Sequence, residues 1–93
     1  MQVRVRVPTP LRRFTAGADE VPAEGASVKA VIEDLERRHP GMRERLLDEK
    51  GDIRRFVNIY LNGNDVRFLD AINSKVKDGD DISIVPAIAG GRS

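Results

Sequence analysis

Arg55-Phe56-Val57-Asn58-Ile59-Tyr60-Leu61-Asn62-Gly63 is the stretch on which the fold turns. β-Branched and aromatic side chains dominate it, and these fit a pleated, half-buried surface. Asn-Gly then supplies the backbone freedom of a tight hairpin turn. The expectation is a strand over 55–61, a turn at Asn62-Gly63 that Asn64-Asp65 can shift or lengthen, and a returning strand over Val66-Arg67-Phe68. Alternation sets Val57, Ile59 and Leu61 on one face and Phe56, Asn58 and Tyr60 on the other.

Upstream lies the layer that Val57, Ile59 and Leu61 can cover. Ser27 is placed as an N-cap, and behind it Val28, Val31, Ile32 and Leu35 recur at helical spacing, with Lys29, Glu33, Glu36 and Arg37 on the other side. His39-Pro40-Gly41 stops this helix, because proline disfavours helical geometry in the residue before it and glycine permits the reversal. His39 therefore reads as a helix-end residue and not as a ligand or base. Met42, Leu46 and Leu47 suggest a further short turn of helix. Asp48-Glu49-Lys50-Gly51-Asp52 lacks the ligand spacing of a calcium site and reads as a solvated loop. One main helix covers only one face of the sheet. The face of Phe56 and Tyr60 is then either a docking surface or a place where these rings pack on neighbouring strands and arginine stems.

The two ends complete the sheet. Val3, Val5 and Val7 alternate with Gln2, Arg4 and Arg6, as in a strand with one buried side, and Pro8 and Pro10 end it. Leu11 and Phe14 are apolar anchors in the connection, and Gly17-Ala18-Asp19 is a turn before a short strand around Glu20-Val21. Beyond the hairpin, residues 69–76 form a connection with apolar anchors and room for a short helical turn. Lys77-Asp78-Gly79-Asp80 is a turn, and Asp81-Ile82-Ser83-Ile84-Val85 is a last strand with Ile82 and Ile84 inward, closed by Pro86. The class is α+β: a mixed sheet wrapped on one main helix, with a folded domain over 1–87 and a flexible tail over 88–93.

That tail reads Ile88-Ala89-Gly90-Gly91-Arg92-Ser93. Glycine costs backbone entropy and packs nothing, so the pair serves no fold. It does offer a thread slender enough for a narrow channel, and Ile88 to Gly91 extended span roughly 13 Å. An ordinary frayed terminus is the competing reading.

Composition narrows the function further. A chain of 93 residues is one domain, too small for a deep cleft between lobes. Its 40% apolar and 33% charged residues place it in the soluble globular class, and no apolar run is long enough to span a bilayer. The amino end alternates and is no signal peptide, which leaves the cytoplasm as the default location. Without cysteine there is no disulfide, no thiolate nucleophile and no cysteine-held metal centre; a single histidine builds no metal site alone. Net charge is +1 with the signs interspersed, so no broad field attracts nucleic acid or anionic lipid. Arg4, Arg6, Arg12 and Arg13 read as a solvated strand face.

With this order of elements the sequence resembles the ThiS/MoaD family of β-grasp, ubiquitin-like sulfur carriers, and looks most like its CysO branch, the carriers of cysteine biosynthesis. The resemblance runs over nearly the whole chain. Its most specific parts are Arg55 to Asn62, then Asp65-Val66-Arg67-Phe68, then Asp78-Gly79-Asp80 leading through Val85-Pro86-Ala87-Ile88-Ala89 to Gly90-Gly91. It implies a protein that is not an enzyme but a carrier. Gly91 would be adenylated by an E1-like adenylyltransferase/sulfurtransferase that uses ATP, then converted to a thiocarboxylate, while Ala89, Gly90 and Gly91 thread into the partner. The chain itself would bind no cofactor and no metal. Phe56, Tyr60, Phe68, Pro86 and Ile88 are the candidate docking contacts. The implied acceptor is a biosynthetic enzyme, in the CysO branch a pyridoxal-phosphate cysteine synthase, with a JAMM-type metalloprotease releasing the product. Thiosugar, thiamin or molybdopterin synthesis, or conjugation to lysines as a ubiquitin-like modifier, are the alternatives.

One departure bears on this. Carriers of the family end at the second glycine, whereas here Arg92 and Ser93 follow, so Gly91 has no free carboxylate. Gly91-Arg92 is then either a processing site in a precursor or the junction with a remnant of cloning. In both cases the chain as written is expected to be inert to adenylation.

Overall fold

The valines of the first seven residues do line one side of a strand: β1 (Gln2–Arg6) buries Val3 and Val5, with Val7 buried just beyond it, and exposes Gln2, Arg4 and Arg6. The computed structural model describes residues 1–86. β1 is followed by a 3₁₀ stretch over Thr9–Thr15, then β2 (Glu20–Glu24), α1 (Val28–Arg38), α2 (Met42–Leu46), β3 (Val57–Leu61), β4 (Asn64–Asp65), 3₁₀ turns at Val66–Phe68 and Ala71–Asn73, and β5 (Asp81–Pro86). The sheet order is β2-β1-β5-β3-β4. β1 and β5 run parallel at its centre, with Val5 opposite Ile82, and the other pairings are antiparallel. This is the mixed α+β sheet expected.

The core is the inner face of that sheet closed by α1. Val3, Val5, Val21, Ala23, Ile59, Leu61, Ile82 and Ile84 meet Val28, Val31, Ile32 and Leu35, and Met42, Leu46 and Leu47 extend the apolar layer. Ser27 caps α1 as expected, its Oγ accepting the Ala30 N–H at 3.2 Å. His39 ends α1, its N–H donating to the Leu35 carbonyl at 2.6 Å. Gly41 opens α2 with φ +103°, and the Phe14 ring lies so close that an added Cβ would meet it at 2.7 Å. Glu36 takes the place of the missing cap side chain, accepting the N–H of Gly41 at 3.1 Å and of Arg43 at 3.0 Å.

Three elements differ from the sequence expectation. β2 continues through Pro22 to Glu24, because it is an edge strand where a missing N–H costs no ladder bond. β3 begins at Val57, not at residue 55: the Val57 N–H donates to the Arg54 carbonyl at 3.0 Å, so Arg55 and Phe56 lie in a turn before the strand. The returning strand is Asn64–Asp65, and Val66–Phe68 is a 3₁₀ turn. Asn62 and Gly63 both have positive φ, +52° and +89°, the geometry of a two-residue hairpin turn that brings Asn64 straight back opposite Leu61. Asp65 then ends the strand, because its Oδ1 accepts the Arg67 N–H at 2.9 Å and bends the chain.

Candidate functional site

The Gly-Gly segment continues from the end of β5. Val85 pairs with Asn58 and Pro86 with Val57, so the last described residue is held beside the start of β3. The other end of β5 is tied more firmly. Asp78 Oδ1 accepts the Gln2 N–H at 2.9 Å, and Asp80 Oδ2 accepts the Lys77 N–H at 2.7 Å. Asn62 completes the clamp: its Nδ2 donates to Asp80 Oδ1 at 3.0 Å and its Oδ1 accepts the Asp81 N–H at 2.9 Å. The bond from Asn62, with that from Lys77, holds the Asp80 carboxyl below the ordinary carboxylate range. These bonds give Asp78-Gly79-Asp80 and Asn62 a physical purpose. They fix where β5 starts, and through a strand of six residues they fix where it ends.

Of the candidate docking residues, Phe68 stands 87% exposed and Phe56 58% exposed, while Tyr60 and Pro86 are half-buried. Tyr60 points outward from β3, in register with Ser83 of β5 and Asp65 of β4. Phe56, placed on that same face by alternation, instead projects from the turn before β3. Ile88, Ala89, Gly90, Gly91 and Arg92 lie outside the described residues.

Arg67 brings the two exposed phenylalanines into one region, and its part was missed in the sequence. Its guanidinium donates to Asn58 Oδ1 at 2.6 Å, to the Arg54 carbonyl at 2.8 Å and to the Val57 carbonyl at 2.6 Å. The turn carrying Phe56 is thereby fastened to the turn carrying Phe68. Asp65, two residues before Arg67, was the available signal, since an aspartate there favours a local turn over a continued strand. Val85 was overlooked as well. It is 43% exposed beside Asn58, and the inward Ile82 and Ile84 already imply its outward direction.

Among the described residues, no group of three or more His, Cys, Asp or Glu side chains is placed to hold a metal ion. None of their helices is long and apolar enough to cross a membrane. The arginines of β1 are ion-paired surface groups, Arg4 with Glu20 at 3.6 Å and Arg6 with Asp81 at 3.3 Å.

The family model described as ThiS family matches residues 5–91, a span that includes both glycines. The chain belongs to the ThiS family. It is 47% identical over 93 residues to the sulfur carrier protein CysO of Mycobacterium tuberculosis, covering 98% of this chain and 100% of that protein. In the crystal structure of the Amycolatopsis orientalis BexX/CysO complex, one chain superposes with a TM-score of 0.90 at 47% identity, covering 96% of this chain and 99% of that one. The solution structure of small archaeal modifier protein 1 from Methanosarcina acetivorans matches with a TM-score of 0.81 at 32% identity, covering 97% and 96%. This ThiS-family chain thus has the ubiquitin-like β-grasp fold, and it is a homologue of sulfur carrier proteins.

Proposed function

We propose that this chain is a cytoplasmic sulfur carrier whose working atom is the carboxyl carbon of Gly91, exposed by removal of Arg92 and Ser93. An E1-like partner spends ATP on it: a carboxylate oxygen attacks the α-phosphorus, pyrophosphate leaves, and an acyl-adenylate forms. A sulfur nucleophile then displaces AMP to leave a thiocarboxylate. The reason for two steps is chemical, since a carboxylate is a poor electrophile and the adenylate provides a leaving group. The thiocarboxylate sulfur is in turn a nucleophile for a biosynthetic enzyme. Cysteine formation on a pyridoxal-phosphate synthase, with later release by a JAMM-type metalloprotease, is the first-ranked use; thiosugar, thiamin and molybdopterin synthesis follow. In this division of labour residues 1–87 hold and present, residues 88–93 are presented and trimmed, and the partners make and break the bonds.

The observation that carries the reading is the 47% identity to CysO across the whole chain, with the family match running through Gly91. The clamp at Asn62 and Asp80 supports it, because a carrier needs its tail to start from a fixed point. The test is intact-mass measurement after incubation with the E1-like partner, ATP and a sulfur source. The chain ending at Gly91 is expected to gain the difference between sulfur and oxygen, and the chain retaining Arg92-Ser93 to gain nothing. Charging without loss of those two residues would sink the reading.

The likeness to small archaeal modifier protein 1, and 35% identity over 73% of the chain to small archaeal modifier protein 3 of Haloferax volcanii, favour a second reading, a protein modifier joined through Gly91 to lysines. Higher-mass conjugates in extracts of the host, absent when Gly91 is deleted, would select it.

A further inference from the structure

From the distribution of arginines we infer that the surface around the end of β5 is a docking rim for a partner protein whose channel mouth is lined with carboxylates. This rests on the carrier reading. Arginines 4, 6, 37, 38 and 43 each lie within 4 Å of a carboxylate. Arginines 12, 13, 45, 54, 55 and 67 do not, among the described residues; Arg12 donates to the Val7 carbonyl at 3.1 Å and Arg13 lies over the Phe14 ring at 5.0 Å. Arg54 donates to the Glu44 carbonyl at 2.6 Å, Arg67 binds an amide and two carbonyls, and Arg45 lies over the Phe14 ring at 5.5 Å.

Three of these six share one open groove of about 650 Å³: Arg45, Arg54 and Arg55 line it with Phe56 and Val57. Glu44 and Asp48 also border it: Asp48 Oδ1 accepts the N–H groups of Lys50 and Asp52 at 2.9 and 3.0 Å, its charge acts on Arg54 from beyond ion-pair distance, and the groove still sets three guanidinium groups against two carboxylates. Val57 is the residue opposite Pro86, so the groove adjoins the point where the tail begins.

Reach makes this surface part of any complex that works on the tail. Residues 87–91, fully extended, span at most about 17 Å. An enzyme acting at Gly91 must therefore come that close to Pro86, and a protein interface of ordinary size, about 800 Å² per partner, covers the ground between. Guanidinium groups covered in this way lose water and need acceptors in return. Carboxylates on the partner supply them, steer the encounter and suppress wrong partners. Phe56 supplies apolar contact within the same rim.

The experiment uses the chain ending at Gly91 and the host's E1-like enzyme in an ATP–pyrophosphate exchange assay. Reversal of the rim, Arg45→Glu with Arg55→Glu, is expected to raise KM about tenfold at low salt with kcat unchanged, the gap closing as salt screens the charges. Lys29→Glu, an exposed reversal on α1, should leave KM within twofold, and thermal melting shows whether each variant is folded. An unfolded double variant is replaced by Arg55→Glu alone, whose side chain makes no hydrogen bond or ion pair among the described residues, with the same expectation at about threefold. An unchanged KM in a folded rim variant, or an equal rise for Lys29→Glu, overturns the rim and leaves the carrier reading intact. Failure of the unaltered chain to support exchange overturns the carrier reading, and the rim falls with it.

Discussion

The two ends of the central strand are held by different kinds of bond. Near the start of β5 carboxylates take up neutral donors and the Arg6 guanidinium, and across β1, β2 and α1 charge meets charge. Arg38 bridges Asp34 at 2.8 Å and Glu24 at 3.6 Å, and Asp34 Oδ2 also accepts the Glu24 N–H at 2.9 Å, so β2 is stapled to α1. Near the finish, arginines serve neutral acceptors or none. The first arrangement uses its charges up within the fold; the second leaves cationic groups available to a partner. With the proposed docking rim, the contrast separates stability from recognition on a domain too small to give each its own lobe.

The harshest way to probe the recognition end is a change that leaves the fold alone. Gly91→Val should cut charging by the E1-like partner on the order of 100-fold, because a bulky side chain displaces the reacting carbonyl within a narrow channel. Melting should be unaltered. Charging at the parental rate would remove the threading argument.

The stability end should break at Gly41. Gly41→Ala puts a Cβ at a φ of +103° and against the Phe14 ring, and the two effects together are expected to cost about 2 kcal/mol, or roughly 10 °C in Tm for a domain of this size. Charging measured below the new Tm should stay near the parental value. A variant that melts normally would show that Phe14 swings away freely.

Much of this contrast could be read from the sequence, and what could not has a common cause. Periodicity exposed the core faces of the main strands and of α1, since burial of Val57, Ile59 and Leu61 or of Val28, Val31, Ile32 and Leu35 follows from spacing alone. Ser27, His39 and the Asn62-Gly63 turn were legible because capping and turn chemistry act within a few residues. Boundaries set by long-range partners were not. Phe56 belongs to the strand by propensity, yet an Arg54–Val57 turn closed by Arg67 excludes it. Asp34 is 5% exposed inside a helix, and only its contacts with β2 and two arginines explain that burial. The proposed site rests chiefly on the Gly90-Gly91 motif, which lies outside the described residues. The arginine rim was not legible, because charge pairing depends on which residues the fold brings within reach.

A gentler test compares the two kinds of bond directly. Arg67→Ala removes donors from Asn58 and from the Arg54 and Val57 carbonyls and is expected to cost about 1–2 kcal/mol, the usual range for bonds to a charged group at a partly exposed site. Arg67→Lys should recover little, because one ammonium cannot reproduce the fork that spans both turns. Full recovery by lysine would mean that charge, and not geometry, holds the two turns together.

The smallest effect is also the most diagnostic, since it separates the two ends by pH. Burial by itself raises the Asp34 carboxyl, but the Glu24 N–H, the charges of Arg38 and Arg37 and the Arg37 hydrogen bond outweigh it, and the folded value lies below the ordinary 3.8. A depressed folded value means that the carboxylate's contribution is complete above the unfolded value and is lost as pH falls through the folded one. Asp34→Asn should therefore cost roughly 0.5–1 kcal/mol at neutral pH, with the penalty shrinking below about pH 4 as the parent loses the same charge. Arg67→Ala should show no such convergence, because its acceptors at Asn58, Arg54 and Val57 carry no charge to lose. Melting curves for both variants from pH 7 down to about 2.5, each referred to the parent at the same pH, decide the matter. Parallel lines for Asp34→Asn would show that Asp34 acts as a hydrogen-bond acceptor alone, and the distinction between an ion-paired end and a neutral end would then rest on geometry without energy behind it.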